Sequence, residues 1–191
     1  MIKLSILIPS TFDRKEMLGK LLDNLYDQML FEAVTPQVEI ITDVDDGTLS
    51  IGKKRQGMIE KARGEYIVQV DSDDELPNYY IKEILKSIED NPDVIGFDGY
   101  MTTDSKNREN FKISKDLPYT TIWDAYGNKD HLRYNNHLSP IKRNIALKIG
   151  FKDMRFAEDY DYAKRLKESG LIKTEVYIHK DMYHYKFNSK K

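Results

Sequence analysis

Four polar residues, Asp71-Ser72-Asp73-Asp74, directly follow an apolar segment over residues 66–70. Two carboxylates separated by one residue can approach the same hard cation in a tight turn and leave room for water and phosphate oxygens. A cation held there would neutralise a diphosphate and stabilise it as a leaving group. By itself the pattern favours a surface turn or a helix start, where aspartate is common. Its position after a predicted buried strand favours a metal site instead.

A second acidic segment, Asp43-Val44-Asp45-Asp46-Gly47, follows the apolar residues 38–42. Its carboxylates could accept hydrogen bonds from a nucleobase or a ribose, although an ordinary turn between a strand and a helix explains the same residues. The basic residues Lys53-Lys54-Arg55 come near the start of the helix predicted next. They could hold phosphate there, or they could form a solvated helix face.

A third acidic segment, Glu158-Asp159-Tyr160-Asp161, opens a predicted helix over residues 158–167. The helix dipole favours acidic residues at this end, which is one explanation of the segment. The other is catalysis, because a carboxylate such as Asp159 can take the proton of an acceptor hydroxyl as a new bond forms. The sequence does not give the distance from Asp159 to residues 71–74, which decides between the two.

Three histidines and the single tryptophan are further candidates. His137, His179 and His184 could be metal ligands or acceptor contacts, but a lone histidine is more often structural or on the surface. Trp123 could stack on a sugar, but a sole tryptophan more often lies in the core or in an interface. The sequence alone leaves both questions open.

The elements that carry the acidic segments alternate between strands and helices. Strands are predicted over residues 3–8, 38–42, 66–70 and 94–100. A helix with an apolar face follows each of the first three strands. This alternation is typical of an α/β fold with a mostly parallel central sheet flanked by helices, in which ligands bind at the carboxyl ends of the strands. We therefore expect residues 10–13, 43–47 and 71–74 to meet at one edge of the sheet.

The second half of the chain has a weaker pattern. The predicted elements are an antiparallel strand over residues 110–114, a helix over 158–167 and a last strand over 174–178. Residues 118–140 have weak periodicity and are predicted to be loop-rich, and the aromatic and basic end, residues 183–191, is predicted to be partly mobile. The chain length fits a single domain over residues 1–191.

Composition and charge exclude several classes of site. The chain has no cysteine, which excludes disulfides and thiolate metal sites. Its formal net charge of −2 gives no overall field for attracting polyanions, so charge does not indicate nucleic-acid binding. The apolar run over residues 1–10 is too short for a signal peptide or a membrane span. We therefore expect a soluble, cytoplasmic protein.

Taken in order, the segments resemble the family 2 glycosyltransferases with a GT-A fold. The matching stretches are LSILIPST at residues 4–11, residues 38–47, KARGEYIVQVDSDD at 61–74, residues 149–151 and FAEDYDYAKRL at 156–166. The resemblance covers most of the chain and is weakest over residues 101–136. It implies inverting transfer of a sugar from a nucleotide sugar, commonly a UDP-sugar, with Mn²⁺ or Mg²⁺. It also implies a nucleotide-sugar-binding half over about residues 1–100 and an acceptor-side half over about residues 101–191.

The resemblance implies a role for each candidate residue. The donor-binding positions are Pro9, Thr11, Asp43, Asp45, Arg55, Asp71 and Ser72. The metal ligands are Asp73, Asp71 on the ribose or sugar side, and His184 as a third ligand. Asp159 matches the catalytic base, and Glu158 beside it would orient the acceptor or the donor.

The chain departs from the family pattern in two places. Lys53-Lys54-Arg55-Gln56-Gly57 replaces a version with small residues and Arg-Asn, and no second acidic residue follows Gly47 at the customary place. Because no segment is long enough to span a membrane, the resemblance favours a small soluble transferase, for example of a phage type, with a glycan or another hydroxyl as acceptor. A modified DNA base is also allowed by the basic residues Lys180, Lys186, Lys190 and Lys191.

Two other classes of function remain open from the sequence. Nucleotidyl transfer also uses metal-binding carboxylates at strand ends, but it usually requires a glycine-rich basic loop near the start, and residues 10–14 contain no glycine. A non-catalytic module that binds sugar nucleotides or glycans would need no base, whereas this chain has acidic residues at both Asp73 and Asp159.

Overall fold

One mixed β-sheet forms the framework of the protein. The computed structural model describes residues 1–189, and within them nine strands form this sheet. The strands are β1 (Leu4–Thr11), β2 (Val38–Asp45), β3 (Tyr66–Gln69), β4 (Val94–Thr103), β5 (Lys106–Ile113), β6 (Thr120–Trp123), β7 (Lys129–Arg133), β8 (Ile141–Lys142) and β9 (Glu175–Phe187). Their order across the sheet is β2-β1-β3-β8-β4-β5-β7-β6, and β9 also pairs with β4.

Helices cover both faces of the sheet. They are α1 (Lys15–Phe31), α2 (Ile51–Lys61), α3 (Tyr80–Ile88), α4 (Arg143–Ile149) and α5 (Glu158–Ser169). The apolar sides of α1 and α3 pack on one face, and those of α2, α4 and α5 pack on the other. Because neighbouring side chains of a strand point to opposite faces, β1 is buried on both sides. Among residues 1–189, no helix combines the length and the apolar character that a bilayer crossing requires.

The first three strands and their helices form where the sequence predicts them. β1 is paired in parallel with β2 on one side and with β3 on the other. It continues past Pro9, which lies beyond the last β1–β3 pair, where a residue without a backbone N–H is tolerated. Ser50 caps α2, since its hydroxyl accepts a hydrogen bond from the Lys53 backbone N–H at 3.1 Å. The carboxyl ends of the three strands therefore meet at one edge.

The middle of the sheet is mixed, whereas the sequence predicts a mostly parallel arrangement. The two-residue strand β8 lies between β3 and β4 and is antiparallel to both. β5 is antiparallel to β4, as predicted, and β9 is parallel to β4. The α/β class with flanking helices is confirmed. The two antiparallel pairs of β8 arise because the chain returns to the centre of the sheet after forming its far edge, whereas β4 and β5 are consecutive strands joined by a short turn.

Two segments of the second half are more regular than their sequence pattern indicates. Residues 118–140, predicted to be loop-rich, contain the hairpin β6–β7. The Asp124 carboxylate holds its turn by accepting hydrogen bonds from the backbone N–H groups of Tyr126 and Asn128, at 2.8 and 2.9 Å. The prediction of a mobile end is wrong as far as Phe187, because β9 runs along β4 to that residue. Lys190 and Lys191 lie outside the described residues.

Candidate active site

A cavity of about 670 Å³, the strand-end cavity, opens where β1 and β3 end. Pro9 and Thr11 of β1 line it, together with Arg55 of α2 and with Asp71 and Asp73 from the turn after β3. Its volume is in the range of small-molecule sites. The structure therefore brings these five predicted residues together at the expected edge of the sheet.

Four cationic side chains of the described residues line the strand-end cavity, namely Arg14, Lys54, Arg55 and Lys186. Each of them contacts a nearby acid. Arg14 lies 2.9 Å from Asp73, Lys54 pairs with Asp45, Lys186 Nζ lies 2.7 Å from Glu75, and Arg55 pairs with Asp71 at 2.8 Å. Guanidinium and ammonium groups bind phosphate oxygens well. This end of the cavity is suited to a phosphorylated ligand.

Arg55 is buried among three acceptors, with 3% of its surface exposed. Its Nε donates to Glu158 Oε1 at 3.1 Å, and its two terminal nitrogens donate to Gln69 at 2.9 Å and to Asp71 at 2.8 Å. Burial lowers the pKa of Arg55, but the charges of Asp71 and Glu158 outweigh it and raise the pKa above its usual value. Arg55 therefore holds these two carboxylates together, in addition to lining the cavity.

Asp71 of the strand-end cavity lies beside His137, which does not line that cavity. Burial raises the pKa of Asp71, but the charges of Arg55 and His137 outweigh it and hold the pKa well below its usual value. His137 Nε2 is 3.5 Å from the Asp71 carboxylate, and neither ring nitrogen has a hydrogen-bond partner within the described part of the chain. Arg55 and His137 therefore hold the Asp71 carboxylate between them.

Ser72 and Asp43, both predicted donor contacts, do not line the strand-end cavity. Ser72 is fully buried, and its hydroxyl lies 3.0 Å from the hydroxyl of Ser10 at the end of β1. This contact fastens the acidic turn to the sheet, so Ser72 positions its neighbours instead of touching a ligand. Asp43 lies beside Pro9 in the pairing of β1 with β2.

Asp45, the remaining predicted donor contact, is used inside its own turn. Its carboxylate accepts hydrogen bonds from the backbone N–H groups of Gly47 and Leu49, at 2.9 and 3.1 Å. The hydrogen bond from Lys54 lowers the pKa of Asp45 most, and these two backbone bonds lower it further. Asp45 therefore fixes the turn and holds Lys54, and it does not line the strand-end cavity.

Asp71 and Asp73 offer carboxylate oxygens, which are the ligands that Mg²⁺ and Mn²⁺ prefer. Within residues 1–189, no group of three or more histidine or acidic side chains is arranged to hold a metal ion. A cation here would therefore need oxygens from a bound phosphate and from water, which is the usual arrangement for Mg²⁺ on nucleotides. The residues fit a cation that binds together with its nucleotide.

His184 does not complete a metal site with these residues, contrary to the sequence-based expectation. It lies on β9, where its ring stacks on Tyr100 with the centroids 4.3 Å apart. Its Nδ1 lies 3.1 Å from the Glu75 carboxylate, and its Nε2 lies 2.8 Å from the Thr102 hydroxyl. Both nitrogens are thus engaged by neighbouring strands and loops.

Asp74 is a buried carboxylate behind the cavity. The Tyr183 hydroxyl donates a hydrogen bond to it at 2.7 Å, and the backbone N–H of Lys186 donates another at 2.8 Å. Burial, followed by the negative charge of Asp71, raises the pKa of Asp74 to about 8. Asp74 therefore anchors β9 to the acidic turn.

The raised pKa of Asp74 predicts a loss of stability with rising pH. The folded protein keeps this proton up to about pH 8, whereas the unfolded chain releases it near pH 4. The contribution of Asp74 is thus complete below about pH 4 and is lost as the pH rises to 8. With EDTA present, Asp74→Asn should show a smaller fall in the free energy of unfolding between pH 5 and 9 than the wild type, measured by urea denaturation.

The control for this experiment is Asp90→Asn, which removes an exposed carboxylate. Its pH dependence should match that of the wild type. Parallel curves for Asp74→Asn and the wild type would contradict the assignment of a raised pKa to Asp74.

A second cavity of about 350 Å³, the Asp159 cavity, adjoins the first. Asp159 and Tyr160, from the first turn of α5, line it together with Tyr119, His131 and Arg133. The Asp159 carboxylate makes no hydrogen bond or ion pair with any other residue in the range 1–189. It is therefore available to a hydroxyl group in the cavity.

The two cavities meet at Arg55, Asp71 and Tyr185, which line both of them. One ligand in the strand-end cavity and another in the Asp159 cavity would therefore come into contact beside Asp71. Glu158 also lines the Asp159 cavity, but its carboxylate binds Arg55. Glu158 therefore fixes the position of that arginine.

Tyr185 and Lys186 line the site, although the sequence analysis assigned neither to it. Both lie on β9, where Tyr185 is paired with Met101 of β4. A usable signal was present, because aromatic and other residues alternate strictly over residues 183–187, which is typical of a strand.

The described lysines near the end of the chain are paired with acids. Lys180 lies 2.7 Å from Glu83, and Lys186 lies 2.7 Å from Glu75. These two lysines therefore do not favour DNA binding.

Comparison with known proteins gives a family match in sequence. Residues 48–150 match the model of the family described as Glycosyl transferase family 2. No curated protein matches the chain in sequence.

Solved structures with a similar fold include S. aureus TarS. The crystal structure of TarS 1–349 has a TM-score of 0.64 and 15% sequence identity, over 97% of this chain and 60% of that one. TarS 1–349 in complex with UDP-GlcNAc gives a TM-score of 0.64 with 14% identity, over 97% and 58%. Its complex with UDP gives 0.65 with 15% identity, over 97% and 60%. The chain thus spans about 60% of the TarS fragment, and at this identity the likeness is one of fold.

Proposed function

The chain belongs to glycosyl transferase family 2 and has the α/β fold of the GT-A glycosyltransferases, and from this premise we propose that it moves a sugar from a nucleotide sugar to an acceptor hydroxyl with inversion. One observation carries the proposal. Two cavities of different chemistry meet at Asp71, one with cations and Asp73, the other with the unpaired carboxylate of Asp159.

The strand-end cavity is proposed to bind the nucleotide diphosphate of the donor. Arg14, Lys54 and Lys186 supply the positive charge, and Pro9 and Thr11 form the wall made by β1. The TarS structures in complex with UDP and UDP-GlcNAc have the same fold, which supports a UDP-sugar as donor. The sugar would lie at the junction, near Asp71 and His137.

The Asp159 cavity is proposed to bind the acceptor, with Asp159 as general base. The acceptor oxygen attacks the anomeric carbon and Asp159 takes its proton, while the bond from that carbon to the diphosphate oxygen breaks and the diphosphate leaves with the electron pair. Arg55 keeps Asp71 and Glu158 in place on either side of the junction. Attack from the side opposite the leaving group inverts the anomeric centre.

A divalent cation is proposed to bind with the donor at Asp73, next to Asp71. When bound, Mn²⁺ or Mg²⁺ would supply charge neutralisation of the leaving diphosphate. Asp73 pairs with Arg14 at 2.9 Å, so binding of the cation to this carboxylate would displace that arginine or share the carboxylate with it.

Family membership favours sugar transfer over nucleotidyl transfer. A non-catalytic binding module is disfavoured by Asp159, because a carboxylate without a partner at the wall of a cavity is useful to a base and unnecessary for binding alone. Neither alternative gains support from a further observation.

A thermal-shift screen of nucleotides and nucleotide sugars, with and without Mn²⁺, tests the donor site. A ligand at a hundredfold excess over its Kd stabilises the folded state by about 2.7 kcal/mol. For a domain of this size that corresponds to a shift of about 5–10 °C. We expect the largest shift with a UDP-sugar and Mn²⁺, and a screen without any shift would contradict the proposal.

Asp73→Asn should abolish the part of UDP affinity that depends on the metal. In calorimetric titrations with Mn²⁺ we expect its Kd to be weaker than that of the wild type by about tenfold or more, or 1.4 kcal/mol. Without metal the two proteins should bind UDP alike. Asp46→Asn, which changes an exposed acid in the turn after β2, is the control and should titrate like the wild type. Unchanged titrations for Asp73→Asn would rule out its role as a metal ligand.

A further inference from the structure

The hairpin β6–β7 carries Trp123, the only tryptophan of the chain. Its side chain is 64% exposed, so it contributes little to the core. Tyr119, which precedes β6, is also exposed by nearly half. A cluster of exposed large apolar side chains on one element is typical of a binding surface.

The face of the hairpin that carries Trp123 continues into the Asp159 cavity. Thr121 is paired with His131, and Trp123 is paired with Lys129, in the register of β6 and β7. Side chains two residues apart on a strand point to the same side, so all four share one face. His131 itself lines the Asp159 cavity. The surface is thus continuous from the cavity to Trp123.

Cations hold the aromatic rings of this face in fixed positions. Lys129 Nζ lies 4.9 Å from the centroid of the Trp123 ring, and Arg133 Cζ lies 4.5 Å from that of Tyr119. Such contacts orient a ring against the cation, while Trp123 and Tyr119 remain 64% and 45% exposed. Glu109 fixes the arrangement further, since its carboxylate binds Lys129 at 2.8 Å and His131 at 2.7 Å.

Tyr119 connects this face to the proposed catalytic group. Its ring makes an edge contact with Tyr160, with the centroids 5.1 Å apart, and Tyr160 follows Asp159 in the first turn of α5. From Tyr119 to Trp123 the strand covers about 13 Å, at roughly 3.3 Å per residue. A ligand that reached both rings would be longer than a single sugar.

We propose that Tyr119, Thr121, Trp123 and Lys129 form a platform for an oligosaccharide whose end unit lies at Asp159. The inference rests on the proposed function for that end unit. Pyranose rings expose C–H bonds on one side, which pack on aromatic rings, while their hydroxyls bind neighbouring polar groups such as Thr121 and Lys129. The acceptor is therefore an extended glycan, which the platform binds at units that do not react.

The platform is tested with an oligosaccharide array and three proteins: the wild type, Trp123→Ala and Tyr126→Ala. Tyr126 is the control, because it is 91% exposed in the turn of the same hairpin and is not on the platform. We expect the wild type to bind a subset of the oligosaccharides, Trp123→Ala to bind them about tenfold or more weakly, and Tyr126→Ala to bind them as the wild type does.

Fluorescence of the sole tryptophan gives a second readout, since emission should change with the bound oligosaccharides and not with their monosaccharides. Absence of oligosaccharide binding by the wild type, or undiminished binding by Trp123→Ala, would overturn the platform.

Hydrolysis of the nucleotide sugar in water separates this result from the proposed function. Trp123→Ala should hydrolyse the donor like the wild type, because the strand-end cavity is intact. A wild type that neither hydrolyses the donor nor transfers its sugar to the bound oligosaccharides, but shows Trp123-dependent glycan binding, would contradict the transferase and leave the platform standing.

Discussion

Asp159→Asn should bind the nucleotide sugar as tightly as the wild type and transfer the sugar about 10²–10⁴ times more slowly. The substitution keeps the shape of the side chain but removes its capacity to accept a proton. Asp159 has no hydrogen-bond or ion-pair partner among the described residues, so its loss should leave the fold unchanged. The rate is measured as release of the nucleoside diphosphate, and donor affinity by calorimetry.

The matched control is Glu168→Gln on the same helix, α5. The side chain of Glu168 is 63% exposed and pairs with Lys164 at 3.9 Å. This variant should have the rate of the wild type. Transfer at the wild-type rate by Asp159→Asn would remove Asp159 as the base. Loss of donor binding together with rate would instead assign it to the donor site.

Arg55→Met should lower the free energy of unfolding by about 3–5 kcal/mol, which is the usual cost of breaking a buried ion pair by removing one partner. The guanidinium of Arg55 is the group that joins Asp71 and Glu158, at 2.8 and 3.1 Å. Without it, two carboxylates would remain near each other in a buried place with no cation between them. The measurement is urea denaturation at pH 7 with EDTA.

Two further variants make this result specific. Arg63→Met removes a guanidinium that is 73% exposed and pairs with Glu39, so it should cost less than about 1 kcal/mol. Adding Glu158→Gln to Arg55→Met removes one of the stranded charges and should recover part of the lost stability. A cost for Arg55→Met as small as that for Arg63→Met would contradict the central position of Arg55 in the site.

The sequence predicts the edge of the sheet at which ligands bind because the signals there are local. A buried strand followed at once by residues 71–74 indicates a strand end, and the helix that follows each strand indicates parallel neighbours. Those two facts are sufficient to bring Pro9, Thr11 and Asp73 to one cavity. Helix α5 is equally local, since acidic residues at its start and Gly170 at its end delimit it.

The partners inside the site could not be predicted, because they are far apart in the chain. Arg55 binds Glu158 across 103 positions, and Ser72 binds Ser10 across 62. An arginine near a helix start has the same sequence pattern whether its side chain joins two carboxylates or lies on a solvated face. The assignments of Ser72 and Asp45 to the donor therefore differ from the structure, which uses both to shape the turns.

The hairpin β6–β7 was missed for a different reason. Its strands are short and carry polar residues on both faces, so neither a helical nor a strand period emerges over residues 118–140. Only pairing with β5, which places His131 beside Phe111, gives the segment its structure. The long strand β9 likewise depends on β4, from which it is far in sequence.

Sugar transfer is tested most directly by ³¹P NMR of the products formed from a UDP-sugar with Mn²⁺. We expect the wild type to convert the donor into UDP and free or transferred sugar without forming pyrophosphate. Asp73→Asn and Asp159→Asn should release little UDP. Pyrophosphate release from a nucleoside triphosphate, or no consumption of any nucleotide sugar found in the thermal-shift screen, would contradict sugar transfer as the function of this chain.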